Sequence, residues 1–108
     1  MTVMELKQLQ KQAAKIFLKN LKRDHIKLSP DYLLLKLTEE LGEFVQSALV
    51  HEKRCRPAKY LECKMSKREM SKELSDVLGL VLVIAETQKI DVEEALVKKW
   101  ITREWIKK

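Results

Sequence analysis

Five acidic residues stand out by their spacing. Glu39, Glu40 and Glu43 fall within five consecutive positions, and Glu73 and Asp76 form a second set three residues apart. On a helix the first three share one face within about 100°, and the second two lie about 60° apart. Like charges so placed repel one another. Glu73 and Asp76 also abut the apolar run 77–85, where an ionised carboxylate is costly unless something neutralises it. If the two helices face each other, Glu40, Glu43, Glu73 and Asp76 converge, and hard oxygen ligands of this kind select Mg²⁺, with Mn²⁺ as a substitute. The bland alternative is a pair of solvated helix faces. The only two glycines bear on the choice, since Gly42 lies between Glu40 and Glu43 and Gly79 follows Asp76 by one turn. A mid-helix glycine costs about 1 kcal/mol relative to alanine, so both are expected where two backbones, or a backbone and a ligand, come close.

The elements that must carry these residues are helical. With two glycines, two prolines and helical periodicity nearly throughout, the chain predicts four helices. The first covers about 3–22, with Leu6, Leu9, Ala13, Ile16, Phe17 and Leu21 inward and Lys7, Lys11, Lys15 and Lys19 outward. The second starts from Ser29 as N-cap with Pro30 at the first helical position and runs to about residue 52. A loop over 54–65 follows. The third runs from Ser66 to about residue 88, with Ser66 and Glu69 at capping-box spacing and Met65 with Met70 as the staple. Asp91 caps the fourth, with Glu94 three residues on, and that helix reaches nearly to the end. Because 77–85 is apolar on every side, it must be buried all round. Four helices of one chain do not readily enclose it, so the expected fold is an all-α four-helix bundle whose core is completed by a homodimer or homotetramer.

Size and composition narrow the function. The 108 residues, 45% apolar and 35% charged, suit a single domain over 1–108. The longest apolar run has nine residues, against about 20 for a bilayer-spanning helix, so no membrane association is expected. The N-terminal stretch has lysines but no apolar core with a cleavage site, and a cytoplasmic location is the expectation. Cys55 and Cys63 are then expected as free thiols; with His51 they supply three ligands, short of a structural zinc set, and no CxxC is present. The net charge of +6 is local, because residues 53–72 carry eight basic side chains against two acidic ones while the rest is balanced. That cluster raises the alternative of a basic helical nucleic-acid-binding protein, which leaves the acidic faces and both glycines without a role.

The motif "EELGE" over 39–43, followed about thirty residues later by "ELSD" over 73–76, resembles the EExxE…ExxD pattern of the MazG-like all-α nucleoside triphosphate pyrophosphohydrolases. The resemblance covers roughly residues 30–103, including "GLVLVIAETQKIDVEEAL". It implies hydrolysis of a nucleoside triphosphate between the α and β phosphates, giving monophosphate and pyrophosphate, by a dimer or tetramer in nucleotide housekeeping. It also implies that Glu40, Glu43, Glu73 and Asp76 are metal ligands and that Glu39 is an auxiliary ligand or orients the attacking water. Departure of pyrophosphate builds negative charge that cations can meet. Lys36 and Lys72 are candidates for that, with surface ion pairs as their plainer role. Near the C-terminal end relatives often present a lysine, an asparagine and an arginine; here "VKKWITREW" offers Lys98, Lys99 and Arg103 but no asparagine, so Lys99 and Arg103 are the substrate-binding candidates. Trp100 and Trp105 suit base stacking or, more commonly, a core or subunit interface. The phosphoribosyl-ATP pyrophosphohydrolase of histidine synthesis shares this architecture and chemistry and is the alternative within the fold.

Overall fold

A computed structural model of the chain describes residues 5–102. Among them are four helices and no strand: α1 (Leu6–Arg23), α2 (Pro30–His51), α3 (Cys63–Thr87) and α4 (Val92–Leu96). The fold is all-α, as the periodicity predicts. The described residues fall into two compact units, residues 28–81 on one hand and 5–27 with 82–102 on the other. The unbroken helix α3 contributes its first nineteen residues, 63–81, to the first unit and the remainder to the second.

The unit of residues 28–81 carries all five acidic candidates. Helix α2 starts as the sequence predicts, with Ser29 extended and its hydroxyl accepting the Tyr32 N–H at 3.2 Å while Pro30 opens the helix. Helix α3 starts a turn earlier than the capping-box spacing predicts. Ser66 lies inside it, its N–H donating to the Glu62 carbonyl at 2.9 Å. The reason is tertiary: the Ser66 side chain, 1% exposed, lies 2.8 Å from His51 Nδ1 and 3.0 Å from the Cys63 carbonyl. It is therefore not available as a cap, and Met65, half exposed, forms no inward staple. Pro57 stands in a short 3-10 turn, Pro57–Lys59, six residues before α3 and too far upstream to delay it. Leu33 and Leu80 are the buried apolar residues of this unit.

In the other unit, α1 is turned relative to the expected face. Gln10, Ala14 and Leu21 are buried, whereas Leu9 and Ile16 are exposed. Gln10 takes the inward place because its amide nitrogen donates to the Glu86 carboxylate at 3.0 Å and to the Ile90 carbonyl at 2.8 Å. Both N–H groups of this buried amide are used, while its Oε1 is buried without a partner. An unforeseen capping box between Glu5 and Gln8 opens the helix. Asp91 caps α4 as predicted, accepting the Glu94 N–H at 3.1 Å, and the helix then widens into a π turn over Val97–Ile101. Leu82, Val83 and Ala85 are buried. The apolar run is nevertheless not enclosed all round, since Leu78 is half exposed.

Neither glycine sits under a close approach: a Cβ built on Gly42 or Gly79 meets nothing within 4 Å. The expectation of backbones drawn together there is corrected, since both face open space. The positions that would profit from glycine lie elsewhere. His25, Lys53 and Lys89 have φ of 57°, 57° and 58°, the left-handed conformation, each just past a helix end. The hydrogen bonds His25 to Lys22 and Ile26 to Leu21, Lys53 to Val50 and Arg54 to Leu49, Lys89 to Glu86 and Ile90 to Ala85 are the paired closures of three Schellman motifs. A side chain in this conformation costs about 1–2 kcal/mol that glycine avoids. His25→Gly is accordingly expected to stabilise the protein by about 0.5–1 kcal/mol in urea unfolding, after the entropy glycine adds to the unfolded chain; an unchanged or lowered midpoint would show that no strain is held at this closure.

Candidate metal centre

The order of side-chain meetings fixes how α2 and α3 run. Glu40 meets Glu73 and Asp76, Glu43 meets Glu73, and His51 meets Ser66. As numbers rise along α2 they fall along α3, so the two helices are antiparallel, as the connecting loop requires. The loop is tied to itself, with the Lys53 ammonium 5.9 Å from the centre of the Tyr60 ring.

Three carboxylates converge. Glu40, Glu73 and Asp76 each offer an oxygen within 4.8 Å of the other two. Glu43 stands at the edge of this group, near enough to both Glu40 and Glu73 to act on them. Glu40 and Glu73 each bury one oxygen, Oε2, with no hydrogen-bond partner. Burial first, then the hydrogen bond and charge of Glu43 and the charge of Asp76, push the Glu40 carboxyl up to about 7, with Lys36 opposing. Glu73 is raised by the same causes, burial first and then the charges of Glu43 and Asp76. Two orphaned, buried carboxylate oxygens are expensive in water's absence. Their cost disappears if a cation sits among them, and a donor set made only of carboxylate oxygens fits a hard divalent ion.

The remaining candidates are placed as follows. Glu39 lies outside the three-carboxylate group, its Oε1 held by Lys36 Nζ at 2.6 Å. The surface ion pair anticipated for Lys36 is thus made with Glu39. Lys72 is exposed and lies 3.6 Å from Glu69. Lys99 is exposed and belongs to the other unit, as does Trp100, 72% exposed; Lys98 pairs with Glu94 at 2.7 Å. Arg103 and Trp105 lie outside the described residues.

One part of the site escapes the motif. A cavity of about 460 Å³ adjoins the cluster, sharing Glu43 and Glu73 with it and extending toward the connecting loop. Its α2 side continues the face of Glu43 through Gln46, Ser47 and Val50, and its α3 side continues the face of Glu73 back through Glu69 and Ser66. The helical spacing that grouped the acids reaches these residues too, but their ordinary types gave no chemical signal.

The family model described as MazG nucleotide pyrophosphohydrolase domain matches residues 28–105. The chain therefore belongs to the MazG nucleotide pyrophosphohydrolase domain family. Searches of curated proteins and of solved structures returned no match.

The raised carboxyls set a pH dependence. The folded state binds the Glu40 proton more tightly than the unfolded chain does, so this group's contribution to stability is full below about pH 4.5 and is lost as the pH rises toward about 7; Glu73 adds to it with the same sign. In chelator, the melting temperature should fall across that window, and Glu40→Gln should flatten the fall. Saturating Mg²⁺ should also remove it, because a cation favours the ionised form. Identical profiles for the parent and Glu40→Gln would show that the cluster holds no such strain.

Proposed function

We propose that the protein is a Mg²⁺-dependent nucleoside triphosphate pyrophosphohydrolase, with Mn²⁺ as a substitute, that cleaves between the α and β phosphates and serves nucleotide-pool control in the cytoplasm. The observation that carries this reading is the convergence of Glu40, Glu73 and Asp76 with two buried oxygens that lack partners. Membership in the family supplies the reaction class. Cys55 and Cys63 are free thiols, which suits a reducing compartment.

In this reading Glu40, Glu43, Glu73 and Asp76 hold the ion, which when bound neutralises charge on the triphosphate and lowers the pKa of water. The other work falls to the chain. Glu39 keeps one oxygen on Lys36 and turns the other toward an attacking water, whose proton it accepts. The water oxygen forms a new P–O bond as the bridging bond between the α and β phosphates breaks, and pyrophosphate leaves with the bridging oxygen. Lys72, Lys99 and Arg103 are the cations proposed to meet phosphate charge or the nucleoside. A second copy of the chain is proposed to cover the exposed apolar side chains of residues 28–81, among them Leu34, Leu35, Leu74 and Leu78, since solitary proteins seldom leave a large apolar patch bare.

A panel of ribo- and deoxyribonucleoside triphosphates with Mg²⁺ or chelator, resolved into mono-, di- and triphosphates, tests the reaction. Monophosphate and pyrophosphate are expected only with the metal. Diphosphate with phosphate would place the cleavage elsewhere, and turnover in chelator would remove the metal. Asp76→Asn removes a ligand at almost no change in volume, so turnover should drop at least about 100-fold with an unchanged circular dichroism spectrum; full activity would overturn the site. Light scattering should give a dimer or tetramer at micromolar concentration, and a stable monomer would contradict the second copy.

A further inference from the structure

The cavity beside the acidic cluster has a chemistry of its own, and we propose that it receives the nucleobase and selects bases bearing an exocyclic amino group, cytosine and adenine, over those with a carbonyl in its place. This rests on the reading of the cluster as a pyrophosphohydrolase centre.

Size and walls come first. About 460 Å³ falls in the range that holds small ligands. Val50 from α2 and Leu61 from the loop line it, and apolar walls suit the faces of a flat heteroaromatic ring better than a sugar, which is polar all round. Glu43 and Glu73 stand at the end shared with the cluster, so a nucleotide with its phosphates at the carboxylates would carry its base into this space.

The polar groups then decide which base. Ser47 donates its hydroxyl proton to the Phe44 carbonyl at 2.7 Å and therefore presents only lone pairs. For Ser66, both close contacts are satisfied together when its hydroxyl donates to the Cys63 carbonyl and His51 Nδ1–H donates to it. One accepting lone pair remains on a side chain that is 1% exposed and lines the cavity. Glu69, held only by a 3.6 Å contact with Lys72, adds a carboxylate. Donors come from Lys59 and the Gln46 amide alone among these side chains. With Glu43 and Glu73 committed to the ion, the wall is still rich in acceptors. An exocyclic amino group offers two N–H donors to such a wall, whereas a carbonyl at the same position offers none there and leaves the base only the single N–H of the adjacent ring nitrogen.

The test compares kcat/KM for pairs in which a carbonyl replaces the amino group and the adjacent ring nitrogen gains an N–H, CTP against UTP and ATP against ITP, and repeats both pairs as deoxyribonucleotides. The amino member should be favoured by about tenfold or more in each, the scale of one hydrogen bond to a charged acceptor. Glu69→Gln exchanges one accepting oxygen for an amide donor and should pull both ratios toward one, while CTP and UTP continue to be cleaved. Equal rates within the pairs, or a preference for UTP and ITP, would overturn the inference and leave the pyrophosphohydrolase standing. A ratio that instead follows ribose against deoxyribose would assign the acceptors to the sugar and overturn it as well. Failure to cleave any triphosphate would bring down the reading beneath it.

Discussion

The carboxylates of α2 and α3 repel one another across the seam between these helices, and the surrounding structure has to live with that repulsion. Glu40, Glu73 and Asp76 approach within 4.8 Å, and two of their oxygens are buried without partners. Hydrophobic packing would not place charges this way, because a carboxylate oxygen shut off from water loses hydration that the other carboxylates cannot return. The proton that Glu40 retains up to about 7 partly relieves the cost in the absence of an ion. A divalent cation relieves it fully. The unfavourable electrostatics thus reside in the atoms proposed to hold the ion, and perturbed carboxyls of this kind cluster at functional sites.

A seam proposed to hold an ion is not drawn shut at the glycines. Nothing lies within 4 Å of a Cβ at Gly42 or Gly79, and the space between the helices is taken by side chains and by the cavity that runs from the cluster toward the loop. At the loop end, the His51 and Ser66 contact at 2.8 Å joins the two helices, and at the other the acidic group faces itself. The serine that sequence spacing offered as a helix cap is instead spent on this junction. A hydroxyl with one proton and two lone pairs can serve only so many partners, and the tertiary ones were nearer.

Much of the site was legible because helical periodicity is geometric. Residues three and four apart share a face wherever the helix lies, so the grouping of Glu40 with Glu43 and of Glu73 with Asp76 followed from spacing alone. The caps at Ser29 and Asp91 were legible for a similar reason, as each satisfies N–H groups within three residues of itself. The start of α3, the inward turn of Gln10 and the free space at the glycines were not. Each depends on a partner distant in sequence: His51 for Ser66, Glu86 and Ile90 for Gln10, and the separation of two helices for the glycines. Helix ends closed by His25, Lys53 and Lys89 were hidden as well, since residues of these types carry no mark of the left-handed conformation that glycine would have signalled.

By itself the sequence determined an all-helical chain, the two acidic faces and their preference for a hard cation, because composition, periodicity and ligand chemistry are local properties. The tertiary structure decided which carboxylates meet, that Glu39 takes Lys36 as its partner and stands outside the three-carboxylate group, and that a cavity lies beside that group. Those outcomes depend on the register between α2 and α3. Register is set by the sum of many side-chain contacts across the seam, a quantity that no stretch of sequence carries within itself.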